Sequence, residues 1–240
     1  MDLSIVTPAY KEAENLAVLL PKMNEHLSKT GYNYEILVIN TQTDMDNTAE
    51  ICEKNNAINV YRENGNLYGD AIRTGFARAN GRMIAVMDCD GSHDPADVVK
   101  MAKVMEEGAD LVIGSRYVKN GKTNNNVILR AMSSLVNFAY RMIFKLKVKD
   151  LSNSFRIYKA ELVKPLPFTC DNFDLVEEVL IRLVINTPEM VIKEHPIVFN
   201  KREFGESKRN LVKFIFSYLT TIRKLLKIKK QAQKQQRGQL

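Results

Sequence analysis

Five short apolar runs recur along the first half of this chain, at residues 3–7, 34–39, 58–61, 83–87 and 111–114. Each is too short for a stable helix and is bounded by polar or turn-forming residues, the pattern of buried strands. Between them, apolar residues fall at helical spacing. Leu16, Leu19, Leu20, Met23 and Leu27 share one face of a helix running to about Ser28. Ala71, Ile72, Gly75, Phe76 and Ala79 mark another over 68–79. A short helix is expected at 48–54, and one at 95–106, where Pro95 suits the first turn. Strands alternating with helices predict an α/β fold, a mostly parallel sheet with helices on both faces.

Sheets of this kind bind ligands beyond the carboxyl ends of their strands. Residues 8–12, 40–46 and 88–94 all lie just past strand ends, so they are expected to share one crevice. The fourth strand stops at Asp88 and Asp90. Residues two apart project to the same side of an extended chain, and two buried acids repel. Mg²⁺ or Mn²⁺ relieves that repulsion, taking one or two carboxylates and filling its other positions with substrate phosphates. Asp90-Gly91 is also good turn chemistry. On this stretch alone the metal site and the plain turn both stand.

The second half departs from the alternation. A helix is expected at 127–147, with Arg130, Arg141, Lys145 and Lys147 flanking its apolar face. Residues 150–158 read as a turn and then a strand, 173–185 as a helix, and 190–199 as an extended run interrupted at His195-Pro196. Residues 201–208 form a basic loop, 211–228 a basic amphipathic helix, and 229–240 a disordered polar tail. No linker divides the chain, so we expect one domain over 1–210 followed by the helix and tail of 211–240.

With 240 residues and 45% hydrophobic content, a full core is available. The net charge of +7 admits phosphate-bearing substrates, anionic lipid or nucleic acid, but no aromatic-basic nucleic-acid module is present. Cys52, Cys89 and Cys170 are far apart and form no CxxC pattern, which argues for a reducing compartment. The first residues read as a core strand and not as a signal peptide. No stretch approaches the roughly 20 apolar residues of a membrane span.

These segments resemble an inverting family 2 glycosyltransferase of the GT-A fold, in the branch of dolichyl- and polyprenyl-phosphate mannose synthases. IVTPAYKEAENL, GDAIRTGFARANG, VMDCDGSHDP, IGSRYVKNG, DLSNSFRIY and EHPIVFNKREFGESK match that branch in order. The resemblance implies a Rossmann-like sheet and transfer of a sugar from a nucleotide sugar to a polyprenyl phosphate. It implies that Asp88, Asp90 and Ser92 hold the metal, and that Asp88, Asp90 and Arg116 are central to catalysis. Pro8, Tyr10, Glu12, Asn40, Thr41, Gly69, Asp70 and Asp88 are carried over as nucleotide contacts. Arg116, Arg130, Ser134, Arg202 and Lys208 are carried over as the acceptor-phosphate set, and bidentate arginine suits that task. A lipid acceptor implies peripheral contact with the cytoplasmic face of a membrane, or a membrane partner subunit, through the helices at 127–147 and 211–228. An oligomer is compatible with the same faces.

A phosphate acceptor is already anionic at neutral pH and requires no general base. None of His26, His93 and His195 stands in a base context. Glu177 and Glu178 lie where related transferases with sugar acceptors carry a catalytic acid. Transfer to a sugar hydroxyl, with one of them as base, is therefore an alternative. A second alternative is a non-catalytic nucleotide-binding member, because the chain breaks the pattern in one place. The family's Asp-Asp after the second strand is replaced by Asn40-Thr41. An Asn both donates and accepts, so a base offering an acceptor, such as cytosine, is expected to be tolerated.

Overall fold

A computed structural model describes residues 1–124, 127–202, 204 and 211–238, with the side chains of 128, 129, 211–219 and 235–238 outside that description. In chain order the elements are β1 (Leu3–Pro8), α1 (Ala13–Leu27), β2 (Tyr34–Asn40), α2 (Thr48–Lys54), β3 (Ile58–Tyr61), α3 (Tyr68–Arg78), β4 (Met83–Val86), α4 (Pro95–Glu106) and β5 (Leu111–Ser115). There follow β6 (Lys122–Thr123), α5 (Val127–Phe144), β7 (Arg156–Lys159), α6 (Ala160–Val163), α7 (Leu175–Asn186), β8 (Ile192–Pro196), β9 (Val198–Phe199) and α8 (Leu211–Gly238).

The main sheet has seven strands in the order β3-β2-β1-β4-β7-β5-β8. All neighbours are parallel except β7, which runs antiparallel between β4 and β5. Strand side chains alternate between the two faces. Leu3, Ile5, Ile36, Val38, Met83 and Ala85 meet α1 and α4 on one side. Val6, Leu37, Ile39, Ile84 and Val86 meet α3, α7 and the buried ends of α5 and α8 on the other. Every residue of the predicted α1 stripe is buried.

The structure corrects three expected boundaries. Helix α5 ends at Phe144, short of 147, because Lys145 takes a left-handed φ of 57° and the Leu146 amide folds back to the Arg141 carbonyl at 3.1 Å. Helix α7 begins at Leu175 rather than 173. Helix α8 runs on to Gly238, so residues 229–238 are helical and not a disordered tail. Lys, Gln, Ala and Arg are good helix formers, and neither Pro nor an earlier Gly interrupts them. The same helix is anchored on the sheet domain. Leu225 is fully buried, and Thr221 donates to Asp174 at the start of α7.

Candidate active site

The carboxyl ends of β1, β2 and β3 are tied together by Arg62, which follows β3. Its guanidinium donates to the carbonyls of Ala9 at 2.5 Å and Asn66 at 2.6 Å, and its backbone amide to that of Asn40 at 3.2 Å. Gln42 adds a bond from its amide to Asn66 Oδ1 at 2.8 Å. The loops after these strands therefore line one crevice. Arg62 was not among the sequence candidates, and burial pushes its pKa down. Its signal in the sequence is a lone basic residue directly after a strand.

Asp88 and Asp90 follow β4 and are both partly exposed. Cys89 between them is buried, donates to the Pro8 carbonyl at 3.2 Å, and its thiol is pushed well up, chiefly by burial. The strand pleat thus separates the two acids from the residue between them. Ser154, just before β7, donates to Asp88 Oδ2 at 2.7 Å. Asp90 Oδ1 accepts the Ser92 amide at 3.1 Å, an Asx turn that starts the chain toward α4. His93 is buried, lies 3.2 Å from Asn153 Oδ1, and packs on the rings of Phe155 and Phe199. Burial lowers its pKa first. Asp88 and Asp90 draw it up, and Arg116 draws it down.

The metal candidates suit a hard divalent cation. Two carboxylates lie just past the end of β4, and the Ser92 hydroxyl beside them is buried with no hydrogen-bond partner. Among the described residues, no group of three or more His, Cys, Asp or Glu gathers as a closed site would need. Mg²⁺ and Mn²⁺ commonly take few protein oxygens and complete their shells from phosphates and water.

Arg202 connects the nucleotide and metal candidates. Its guanidinium pairs with Glu12 and lies 3.6 Å from Asp90 Oδ2. Burial works against its charge, but the Glu12 hydrogen bond and the charges of Glu12 and Asp90 together outweigh it, and its pKa is raised. The Phe204 amide donates to Asn15 Oδ1 at 3.2 Å, which ties Phe204 to α1. In this state Arg202 serves the Glu12 and Asp90 side of the crevice, while Lys208 lies outside the described residues.

Arg116 is seated by a buried acid. Its Nε and Nη2 each donate to Asp150 at 2.7 Å, its backbone amide does so at 2.9 Å, and Nη2 also meets Ser152 and Ser133. The guanidinium lies over the rings of Tyr117 and Phe199. Asp150 is fully buried and its own amide is held by Glu194. Ser133, not Ser134, is the α5 serine brought to Arg116. Ser134 and Arg130 lie on the exposed face of that helix. The 3.6-residue period makes 130 and 134 share a face but does not say which face the domain covers.

Gly69 and Asp70 are engaged in local architecture. Asp70 caps α3 by accepting the Leu67 amide at 3.0 Å and pairs with Arg73 at 2.8 Å. A Cβ on Gly69 would sit 2.4 Å from the Cys170 carbonyl. Asn40 and Thr41 are buried and bond to each other. Pro8 closes β1, and Tyr10 is exposed on the loop beyond it. Glu177 and Glu178 are both fully buried, not on a solvated face. Glu178 accepts from the Thr169 and Cys170 amides, the Thr169 hydroxyl and Arg182. Burial raises its pKa, but these donors outweigh burial and lower it.

Helix α5 leaves Leu135, Phe138 and Met142 at 68%, 60% and 66% exposure on the outer surface, beside exposed Arg130, Arg141 and Lys145. Among the described residues, no helix is long and apolar enough to cross a membrane.

Over 233 residues the chain is 30% identical to a dolichol-phosphate mannosyltransferase of Pyrococcus furiosus, covering 95% of this chain and 64% of the relative. It thus spans somewhat less than two thirds of that relative's length. It is 27% identical over 221 residues to a polyprenol monophosphomannose synthase of Mycolicibacterium smegmatis, covering 85% and 79%. The fold superposes on glucosyl-3-phosphoglycerate synthase of Mycobacterium tuberculosis with a TM-score of 0.72 at 17% identity, over 94% of this chain and 79% of that one. That protein was crystallised with Mn²⁺ and uridine diphosphate, and in another crystal with Mg²⁺. Residues 4–166 match the pattern of the family described as Glycosyl transferase family 2, and the chain belongs to that family.

Proposed function

We propose that this chain transfers a sugar from a nucleotide sugar to the phosphate of a polyprenol, with inversion and with a divalent metal. The supporting observation is the segment 199–202. Phe199 lies against Arg116, the Asn200 amide bonds the Ser92 carbonyl at 2.9 Å, and Arg202 meets Glu12 and Asp90. One short segment thus joins the Arg116 guanidinium to the Asp88 and Asp90 side of the crevice. Two anionic substrates reacting in one crevice need such a division.

Asp88, Asp90 and Ser92 would hold Mg²⁺ or Mn²⁺, which supplies positive charge to the diphosphate as it leaves. Pro8, Tyr10 and Glu12 border the nucleoside. Arg116, beside which Ser133 rather than Ser134 stands, receives the acceptor phosphate. One phosphate oxygen attacks the anomeric carbon, a new C–O bond forms, and the bond to the diphosphate breaks with its electron pair leaving on the nucleotide. The acceptor is ionised beforehand, so no base is needed. The hydroxyl-acceptor alternative has less support, since Glu177 and Glu178 are both fully buried and Glu178 is occupied by loop amides and Arg182. The exposed apolar and basic face of α5 suits peripheral contact with an anionic leaflet or with a membrane partner on the cytoplasmic side.

The test is transfer of radiolabel from nucleotide sugars, mannose donors first because both relatives' names carry mannose, to a polyprenyl phosphate with Mn²⁺. Label should enter the organic phase, and Asp88→Asn should abolish it. Label that stays aqueous with every donor, or moves to sugar hydroxyls, overturns the proposal.

A further inference from the structure

Both oxygens of Asp90 are addressed by other groups of the chain. Oδ1 accepts the Ser92 amide at 3.1 Å, in the turn toward α4. Oδ2 faces the Arg202 guanidinium, 3.6 Å from Nη1. At that separation the contact is an ion pair and not a hydrogen bond.

Arg202 is seated independently of Asp90. Its Nη2 donates to Glu12 Oε1, and its Nε donates to the Phe204 carbonyl at 2.6 Å. Glu12 is itself fixed, since its Oε2 accepts Asn15 Nδ2 at 2.6 Å from the first turn of α1. Leaving Asp90 therefore costs Arg202 one long ion pair, while both hydrogen bonds stay. Ion pairs of this kind are weak. The Arg202, Glu12 and Asp90 side chains are all partly buried, so a further charge among them is felt strongly.

We propose that Arg202 is the counter-cation that a divalent metal displaces from Asp90, so that metal alone is held weakly and metal with a nucleoside diphosphate tightly. The inference rests on the reading that Asp88 and Asp90 receive the metal. A metal approaching Asp90 meets the guanidinium at Oδ2, and two cations then compete for one carboxylate oxygen. The seat on Glu12 keeps Arg202 close after it yields, so the repulsion persists while metal is bound alone. A diphosphate brings negative charge between the two cations and removes that penalty. By linkage, nucleotide raises the metal affinity and metal raises the nucleotide affinity by the same factor. Arg202 thus makes the site load metal and nucleotide together.

Electron paramagnetic resonance of the full chain with Mn²⁺, alone and with saturating UDP or GDP, tests this. Arg202→Gln removes the competing charge and should bind Mn²⁺ alone about tenfold tighter than the parent. With nucleotide present that gain should vanish or reverse. Arg202→Lys keeps the charge and should hold Mn²⁺ alone about as the parent does. Arg202→Met, a second neutral replacement, gives the same measurement should the glutamine variant fold poorly. A merely structural Arg202 would weaken Mn²⁺ binding under both conditions when replaced. Mn²⁺ alone bound no tighter by either neutral variant overturns the role of Arg202 and leaves the crevice reading standing. Failure of the parent to bind Mn²⁺ even with nucleotide overturns the crevice reading and this inference together.

Discussion

Ser154 Oγ donates to Asp88 Oδ2 at 2.7 Å across 66 residues of sequence, joining the segment before β7 to the end of β4. The hydroxyl holds one carboxylate oxygen in place. Partners that orient a metal-binding carboxylate typically change metal affinity 10- to 100-fold when removed. Ser154→Ala is expected to weaken Mn²⁺ binding, followed by electron paramagnetic resonance with UDP or GDP present, by about tenfold. The melting temperature should move little. Unchanged Mn²⁺ affinity would show that Asp88 needs no such support.

The Arg116 and Asp150 pair is buried and bidentate. Lysine cannot reproduce the planar fork. Arg116→Lys should lower transfer to lipid phosphate about 100-fold, roughly 2.7 kcal/mol of transition-state stabilisation, with nucleotide affinity unaltered. Asp150→Ala leaves a buried guanidinium without its counter-charge and should cost about 3–5 kcal/mol of stability in a denaturant titration. Equal loss of nucleotide binding in Arg116→Lys would move Arg116 to the donor side.

Glu178 separates a structural role from a catalytic one. Its folded pKa lies below its ordinary value near 4.5, burial being outweighed by the donors around it. The sign follows from linkage. The stabilisation is present above 4.5 and is lost as pH falls through the lower folded value. Glu178→Gln should lower stability by about 3 kcal/mol at pH 7, and the gap to the parent should narrow below pH 4.5. A Glu178→Gln enzyme of normal stability and no activity would restore the base reading.

On α5, Leu135 and Phe138 form an exposed apolar face beside Arg130 and Arg141. Leu135→Glu with Phe138→Glu should reduce co-sedimentation with vesicles containing anionic lipid and leave nucleotide binding intact. Transfer to a short, water-soluble polyprenyl phosphate should persist. Undiminished vesicle binding would assign membrane contact elsewhere.

Gly69 is constrained by contact rather than by backbone angle. Gly69→Ala drives a methyl into the Cys170 carbonyl at 2.4 Å and Asp171 Cα at 2.8 Å. Overpacking of this kind costs about 1–3 kcal/mol, so a measurable fall in melting temperature is expected. An unchanged melting temperature would mean the 170–171 segment yields freely.

The sequence alone determined the strand-helix alternation, the crevice loops and the acid pair, because local periodicity and turn chemistry decide these within a few residues. Apolar runs ending in polar residues mark strand ends wherever the strands come to lie. Tertiary structure decided the rest. It set β7 antiparallel between β4 and β5, since strand order depends on pairing between segments far apart in the sequence. It chose Ser133 over Ser134, because helical spacing names a face but not what covers it. It buried Glu177 and Glu178, which on a helix are indistinguishable from surface acids until the 169–170 loop closes on Glu178. It buried Asn40 at the end of β2, because β1 and β3 pack on either side of that strand.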